Sequence, residues 1–194
     1  MTNSTYGLIV EGPFDQAMYE ALIPRICERD LSFKTLLCEG KDGLMKNFPG
    51  FLRILEKVLL GKPVDKALVI RDSDRKDPSA IETEMARRIQ RMEYVFPLGV
   101  KFCVVRREME TWLLADAQAI NIVALTRGGR QIQEVQGTLE DINDPKAKLR
   151  SVLSEARLHS TDVVCAEIAS HLSIDHLEYR CPSFRTFRQN VIDC

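Results

Sequence analysis

Five acidic side chains in this sequence follow directly on short apolar runs, the placement from which carboxylates can converge on a ligand. Glu11 closes the run from Tyr6 to Val10. Asp72 and Asp74 come after Ala67 to Ile70, with Arg71 between, and Glu108 and Glu110 come after Val100 to Val105. Carboxylates gathered at one point repel one another, and some must stay protonated unless a cation joins them. Hard divalent cations with oxygen ligands relieve that repulsion. Mg2+ typically takes one or two protein carboxylates, keeps several waters and binds substrate phosphate oxygens. A second ion held by the remaining acids would give two-metal phosphodiester chemistry. Within each pair the spacing is i, i+2, so both side chains point the same way if the strand runs that far. Each acid also has an ordinary structural reading: Glu11 can end a strand at a turn, Asp72 and Asp74 can cap the next segment, and Glu108 and Glu110 can pair with Arg106, Arg107 or a helix start. Their shared position at one sheet edge favours a common site.

The elements that must position these acids alternate along the first two-thirds of the chain. Tyr6 to Val10 reads as a strand stopped by Glu11-Gly12-Pro13, after which Asp15 can cap a helix facing inward through Met18, Ala21, Leu22 and Ile26, kinked or shortened at Pro24. Phe33 to Cys38 reads as a second strand, followed by the loop Glu39 to Gly43 and a helix presenting Phe51, Leu52, Leu55, Val58 and Leu59. After the third strand Pro78 opens a helix whose apolar positions Ile81, Met85, Ile89 and Met92 recur at helical spacing. Apolar strands alternating with amphipathic helices imply a parallel sheet covered on both faces, and in such sheets ligands bind beyond the carboxyl ends of the strands. The expectation is an α/β domain over residues 1–120 and a mostly helical extension, residues 121–194, packed on it. The polar stretch Thr126 to Asn143 reads as a loop, and three helical patterns follow.

With 194 residues, 45% hydrophobic and 28% charged, and a formal net charge of −1, the chain has the composition of an ordinary globular domain. Near-neutrality argues against a nucleic-acid binder that works by bulk positive charge, leaving local clusters of basic residues. No basic region precedes a long apolar run at the start, and no stretch approaches the roughly 18 apolar residues of a membrane span. The six cysteines are scattered without a C-x-x-C pair, and His159, His171 and His176 lack metal-ligand spacing. A reduced, cytoplasmic protein with no membrane partner is expected.

Val10-Glu11-Gly12 and Asp72-Ser73-Asp74 together resemble the Toprim pattern, shared by topoisomerases, bacterial primases, recombination-repair proteins and overcoming-lysogenization-defect nucleases. The run Glu108-Met109-Glu110-Thr111-Trp112-Leu113-Leu114-Ala115-Asp116 is similar to a prokaryotic Toprim-like family of unknown function whose members often sit beside ATPases in mobile or defence-related loci. Asp144-Pro145-Lys146 and Cys181-Pro182-Ser183-Phe184 resemble that family's tail. The resemblance spans nearly the whole chain. It implies a Toprim-like, Rossmann-like sheet, Mg2+ or Mn2+ as cofactor, Glu11 as general acid/base or metal ligand, Asp72 and Asp74 as metal ligands, and Glu108 and Glu110 completing the site. No lysine corresponds plainly to the catalytic lysine of the related nucleases.

The leading expectation is a metal-dependent nuclease acting on DNA or RNA, in defence or repair, with Lys41, Arg71, Arg75, Lys76, Arg106 and Arg107 as phosphate contacts and Arg185 and Arg188 as more distant ones. Each of these cations can equally be a solvated surface charge. The alternative is a non-catalytic or partner-dependent subunit of a separate ATPase, since the chain carries no G-x-x-x-x-G-K-S/T loop of its own. Haloacid-dehalogenase phosphatases also use D-x-D, but they need an aspartyl nucleophile near the first strand. D-x-D glycosyltransferases are expected to be larger. Nothing in these residues supplies a strand-passage tyrosine module or a primase zinc module. Trp112 either stacks on a base or anchors the core.

Overall fold

A computed structural model describes residues 4–193. Its centre is a four-stranded, all-parallel sheet of β1 (Ser4–Val10), β2 (Leu31–Leu37), β3 (Lys66–Asp72) and β4 (Val100–Val105), ordered β2-β1-β3-β4. The two inner strands are buried almost throughout, whereas the edge strand β2 alternates between partial and full exposure. That contrast follows from position: an inner parallel strand is covered on both faces and must be apolar on both.

Helix α1 (Pro13–Cys27) connects β1 to β2, α2 (Lys41–Leu55) connects β2 to β3, and α3 (Pro78–Ile89) connects β3 to β4. One sheet face, with Ile9, Ala67 and Val69, packs on α2 and α3 through Leu44, Phe48, Leu52, Ile81 and Met85. The other face, with Tyr6, Leu8, Val10, Leu68, Ile70 and Val105, packs on Met18, Tyr19 and Leu22 of α1. Pro24 lies in the last turn of α1 without ending it. Helices α2 and α3 stop earlier than their apolar patterns suggest: Val58 and Leu59 fall in a turn, and Met92 lies beyond α3 and is exposed.

Beyond β4 come α4 (Glu110–Leu113), α5 (Ala117–Thr126), a single 3-10 turn (Leu139–Asp141), and then α6 (Pro145–Glu155), α7 (Asp162–His171), α8 (Ile174–Arg180) and α9 (Phe184–Ile192). The tail thus holds four helices where the sequence pattern suggested three. Leu153, Ile168, Phe184 and Val191 join the same continuous core as α1 and the sheet. Trp112, 1% exposed, lies edge-on to Tyr19 and Phe184 and tilted against Phe187, so it is a core anchor with no face open to a base. Cys27, Cys38, Cys103, Cys165 and Cys181 are unbridged; Cys194 lies outside the described residues. Among those residues no helix is long and apolar enough to cross a membrane.

Candidate functional site

Strand order reverses between β1 and β3. The chain leaves β1 toward β2 on one side, and β3 leads to β4 on the other, which puts the sheet's switch point at the carboxyl ends of the central pair, the place where such sheets bind ligands. Ile9 pairs with Val69; Glu11 comes two residues further along β1's exit and Asp72 three residues further along β3. The exit from β3 is stitched to the exit from β4: Ser73 N–H donates to the Val105 carbonyl (2.8 Å), Asp74 N–H to the Arg107 carbonyl (2.9 Å), and Arg107 N–H to Ser73 Oγ (3.0 Å). Both loops turn through left-handed residues, Asp74 (φ 53°) and Arg107 (φ 65°).

This stitching corrects the alternation expected of the acid pairs. Asp72 is the last residue of β3 while Asp74 is already in the turn, and β4 ends at Val105, well short of Glu108. Glu110 instead opens α4 and is buried at 4% exposure, and Glu108 Oε2 accepts from Lys146 N–H (3.3 Å).

The electrostatics single out Glu11 and Asp72. Glu11 Oε1 and Asp72 Oδ1 are buried without a hydrogen-bond partner. Burial pushes the Glu11 carboxyl up to about 7, with Asp15 adding to the rise and Lys41 and Arg71 opposing it. Burial, then the neighbouring charges of Asp15, Glu110 and Glu11, raise Asp72 well above the carboxylate range. Burial also raises Glu110 and Asp15. Four acids therefore sense one another around the carboxyl ends of β1 and β3.

The expected cations divide into groups. Lys41 forms an ion pair with Asp74 Oδ1. Arg71 is buried at 9% exposure with its Nε toward the Asp72 carbonyl (3.3 Å), so it acts on the cluster as a nearby charge and not as an open phosphate contact. Arg75, Lys76 and Arg107 line two clefts of about 500 Å3 on either side of the Ser73–Asp77 turn, one shared with Arg106, the other with Lys146 and Arg150. Arg106 leans toward Glu140 (3.8 Å) and Asp141 (3.9 Å) of the long loop. Arg185 and Arg188 both bind Glu178 and belong to the tail's own surface.

Two residues of the site had been read differently from sequence. Asp15, expected as a helix cap, is the third residue of α1; its Oδ2 reaches back to Gly12 N–H (2.9 Å) and its charge bears on Asp72 and Glu110. The Gly12-Pro13 start turns the chain from β1 straight into α1, and no spacing in the sequence reveals that this turn brings Asp15 to bear on the other acids. Lys146, read only as part of a tail motif, places Nζ 3.7 Å from Glu110 Oε1.

A divalent ion is tested by the donor set. The two partnerless oxygens and the mutual repulsion of Glu11, Asp72, Asp15 and Glu110 fit a hard cation. Among the described residues no three acidic, His or Cys side chains close into a ready cage, so the ion's remaining ligands would be waters and substrate oxygens, as Mg2+ prefers.

Fold and site together define an α/β protein with a carboxylate cluster at the switch point of a small parallel sheet. The chain belongs to the family described as domain of unknown function DUF4276, whose model matches residues 10–192. No curated protein and no solved structure matches it.

Proposed function

We propose that this chain is a Toprim-like, Mg2+- or Mn2+-dependent nuclease that hydrolyses phosphodiester bonds of DNA or RNA. The observation that carries the reading is the pair of buried, partnerless carboxylate oxygens on Glu11 and Asp72 at the switch point of the sheet, with two basic clefts flanking the turn that follows Asp72. Bound there, the divalent ion would polarise the phosphate and lower the pKa of an attacking water. Asp72 supplies the central ligand, and Asp74, Glu108 and Glu110 are the further acids available to it. Glu11, the acid that ends the neighbouring strand, is the group assigned to proton transfer or to the ion itself. Arg75, Lys76, Arg107 and Lys146 line the walls along which a phosphate backbone would lie, positioning it without reading sequence.

A second reading, a subunit that works only with a separate ATPase, has one observation in its favour. Ile54, Leu60, Met92 and Val95 are exposed around the ends of α2 and α3. The Arg53–Tyr94 stack (4.4 Å) and the Val95 N–H bond to Glu56 (2.8 Å) tie the two segments together, so these exposed apolar side chains lie on neighbouring segments where a partner could cover them.

The test is incubation of the protein with plasmid, single-stranded DNA and RNA in Mg2+, Mn2+ or chelator. Metal-dependent cleavage that falls at least about a hundredfold in both Glu11→Gln and Asp72→Asn is expected. A folded protein that binds Mn2+ by calorimetry yet cuts none of these substrates would overturn the standalone enzyme and favour the partner-dependent subunit.

A further inference from the structure

Lys41 is held with more backbone constraint than a loose phosphate contact requires. Cys38 N–H donates to the Val10 carbonyl and Gly40 N–H to the Glu11 carbonyl, both at 3.0 Å, so the loop after β2 is fastened to the end of β1. Gly40 adopts φ +93°, a conformation that side chains rarely tolerate, and a Cβ on Gly43 would come within 1.8 Å of the Cys38 carbonyl oxygen. These two glycines let the loop close tightly enough for α2 to begin at Lys41, directly beside Glu11. From there its ammonium pairs with Asp74 and is an electrostatic neighbour of both Glu11 and Asp72. One monovalent cation thus serves three carboxylates of the proposed metal site.

Nothing locks that cation in place. Its side chain is 32% exposed and that of Asp74 43% exposed, and ion pairs this open are weak and easily exchanged. A lysine is a compact point charge on a flexible four-carbon stem and can move between partners without shifting its helix. Ammonium and divalent ion repel each other at one carboxylate, whereas both are attracted to a phosphate bound alongside.

We propose that Lys41 is an exchanging counter-ion. It holds Asp74 while the carboxylates lack a divalent cation, then yields Asp74 to that cation and turns to the substrate phosphate. The inference rests on the divalent-metal reading of the site. It assigns Lys41 two effects of opposite sign, resisting metal entry and favouring substrate, where a merely structural lysine would support both.

Metal-stripped wild type, Lys41→Met and Lys41→Arg are titrated with Mn2+ by calorimetry, after circular dichroism confirms that each is folded. Removing a unit charge roughly 6 Å from a divalent ion in a water-like dielectric changes affinity about tenfold, so Lys41→Met is expected to bind Mn2+ about tenfold more tightly, with Lys41→Arg close to wild type. A fluorescent phosphorothioate single-stranded oligonucleotide is then titrated in saturating Mn2+. Lys41→Met is expected to bind it about tenfold more weakly, with the salt dependence reduced by about one phosphate contact. Unchanged or weaker Mn2+ binding by Lys41→Met, with wild type binding normally, overturns the exchange alone. Failure of all three proteins to take Mn2+ overturns the metal reading itself.

Discussion

Strand β3 carries an ionisable side chain at each end, and the two ends are treated differently. At its start Lys66 is fully buried, and its ammonium donates to the carbonyls of Val191 (2.8 Å) and Asp193 while lying 5.7 Å from the Tyr6 ring. Those carbonyls belong to the C-terminal end of α9, where the helix dipole favours a cation. At its finish Asp72 has a buried oxygen with no partner and acids as its neighbours. A fold able to surround an ammonium with matched acceptors leaves a carboxylate a few residues away unmatched. Buried polar groups are ordinarily satisfied, and unsatisfied ones concentrate where a ligand completes them. The comparison separates an ionisable group that the fold satisfies from one that it leaves open to the proposed metal.

The largest stability effect is expected at the satisfied end. Lys66→Met removes the ammonium and leaves the Val191 and Asp193 carbonyls without their donor. A loss of about 2–4 kcal/mol is expected, seen as a fall of about 10 °C in the thermal melt. A melt unchanged within error would erase the distinction between the two ends.

The same contrast explains what was legible in the sequence. The strands were readable because inner parallel strands must be apolar: β4 was bounded correctly from its composition, and β1 and β3 to within a few residues. Glu11 and Asp72 were readable because sheet topology alone places the residues that end adjacent strands. For Glu110 the sequence left a strand end and a helix start both open, because α4 is a single turn, too short for any helical period to register. Lys146 was missed as a site residue because α6, far along the chain, brings it back to Glu110 through tertiary packing. Asp15 was assigned to a cap, and it makes that bond; its second role depends on the angle at which α1 leaves the sheet, which no spacing reveals.

At the unsatisfied end the expected stability change has the opposite sign. Buried polar groups are usually needed, so replacing one normally destabilises. The Asp72 carboxyl is raised by burial and by Asp15, Glu110 and Glu11, so its charged form opposes folding. Asp72→Asn keeps the shape and removes that charge. In chelator at pH 8, where an acid is pressed hardest to ionise, the variant is expected to be about 1 kcal/mol more stable in urea unfolding, even as activity is lost. A clear loss of stability would place Asp72 with Lys66, as a structural charge.

Glu11 gives an effect no larger than that of Asp72 and the one most specific to the site. Its carboxyl is raised from 4.5 to about 7, mainly by burial, so over that interval the folded chain binds more protons than the unfolded one. Stability must then decline as pH rises from about 4.5 to about 7 and level off above, the reverse of a salt-bridged carboxylate. The group keeps some contact with solvent, which discounts the full shift, and a decline on the order of 1 kcal/mol is expected. Urea unfolding across that range, with Glu11→Gln as reference, isolates the contribution, since glutamine cannot titrate and should flatten the slope by that amount. Saturating Mn2+ should flatten it too, by offering the ionised carboxylate the partner that the metal-free fold withholds. If wild type and Glu11→Gln decline in parallel, the proton is not held at Glu11, and the proposed acid/base assignment to Glu11 falls.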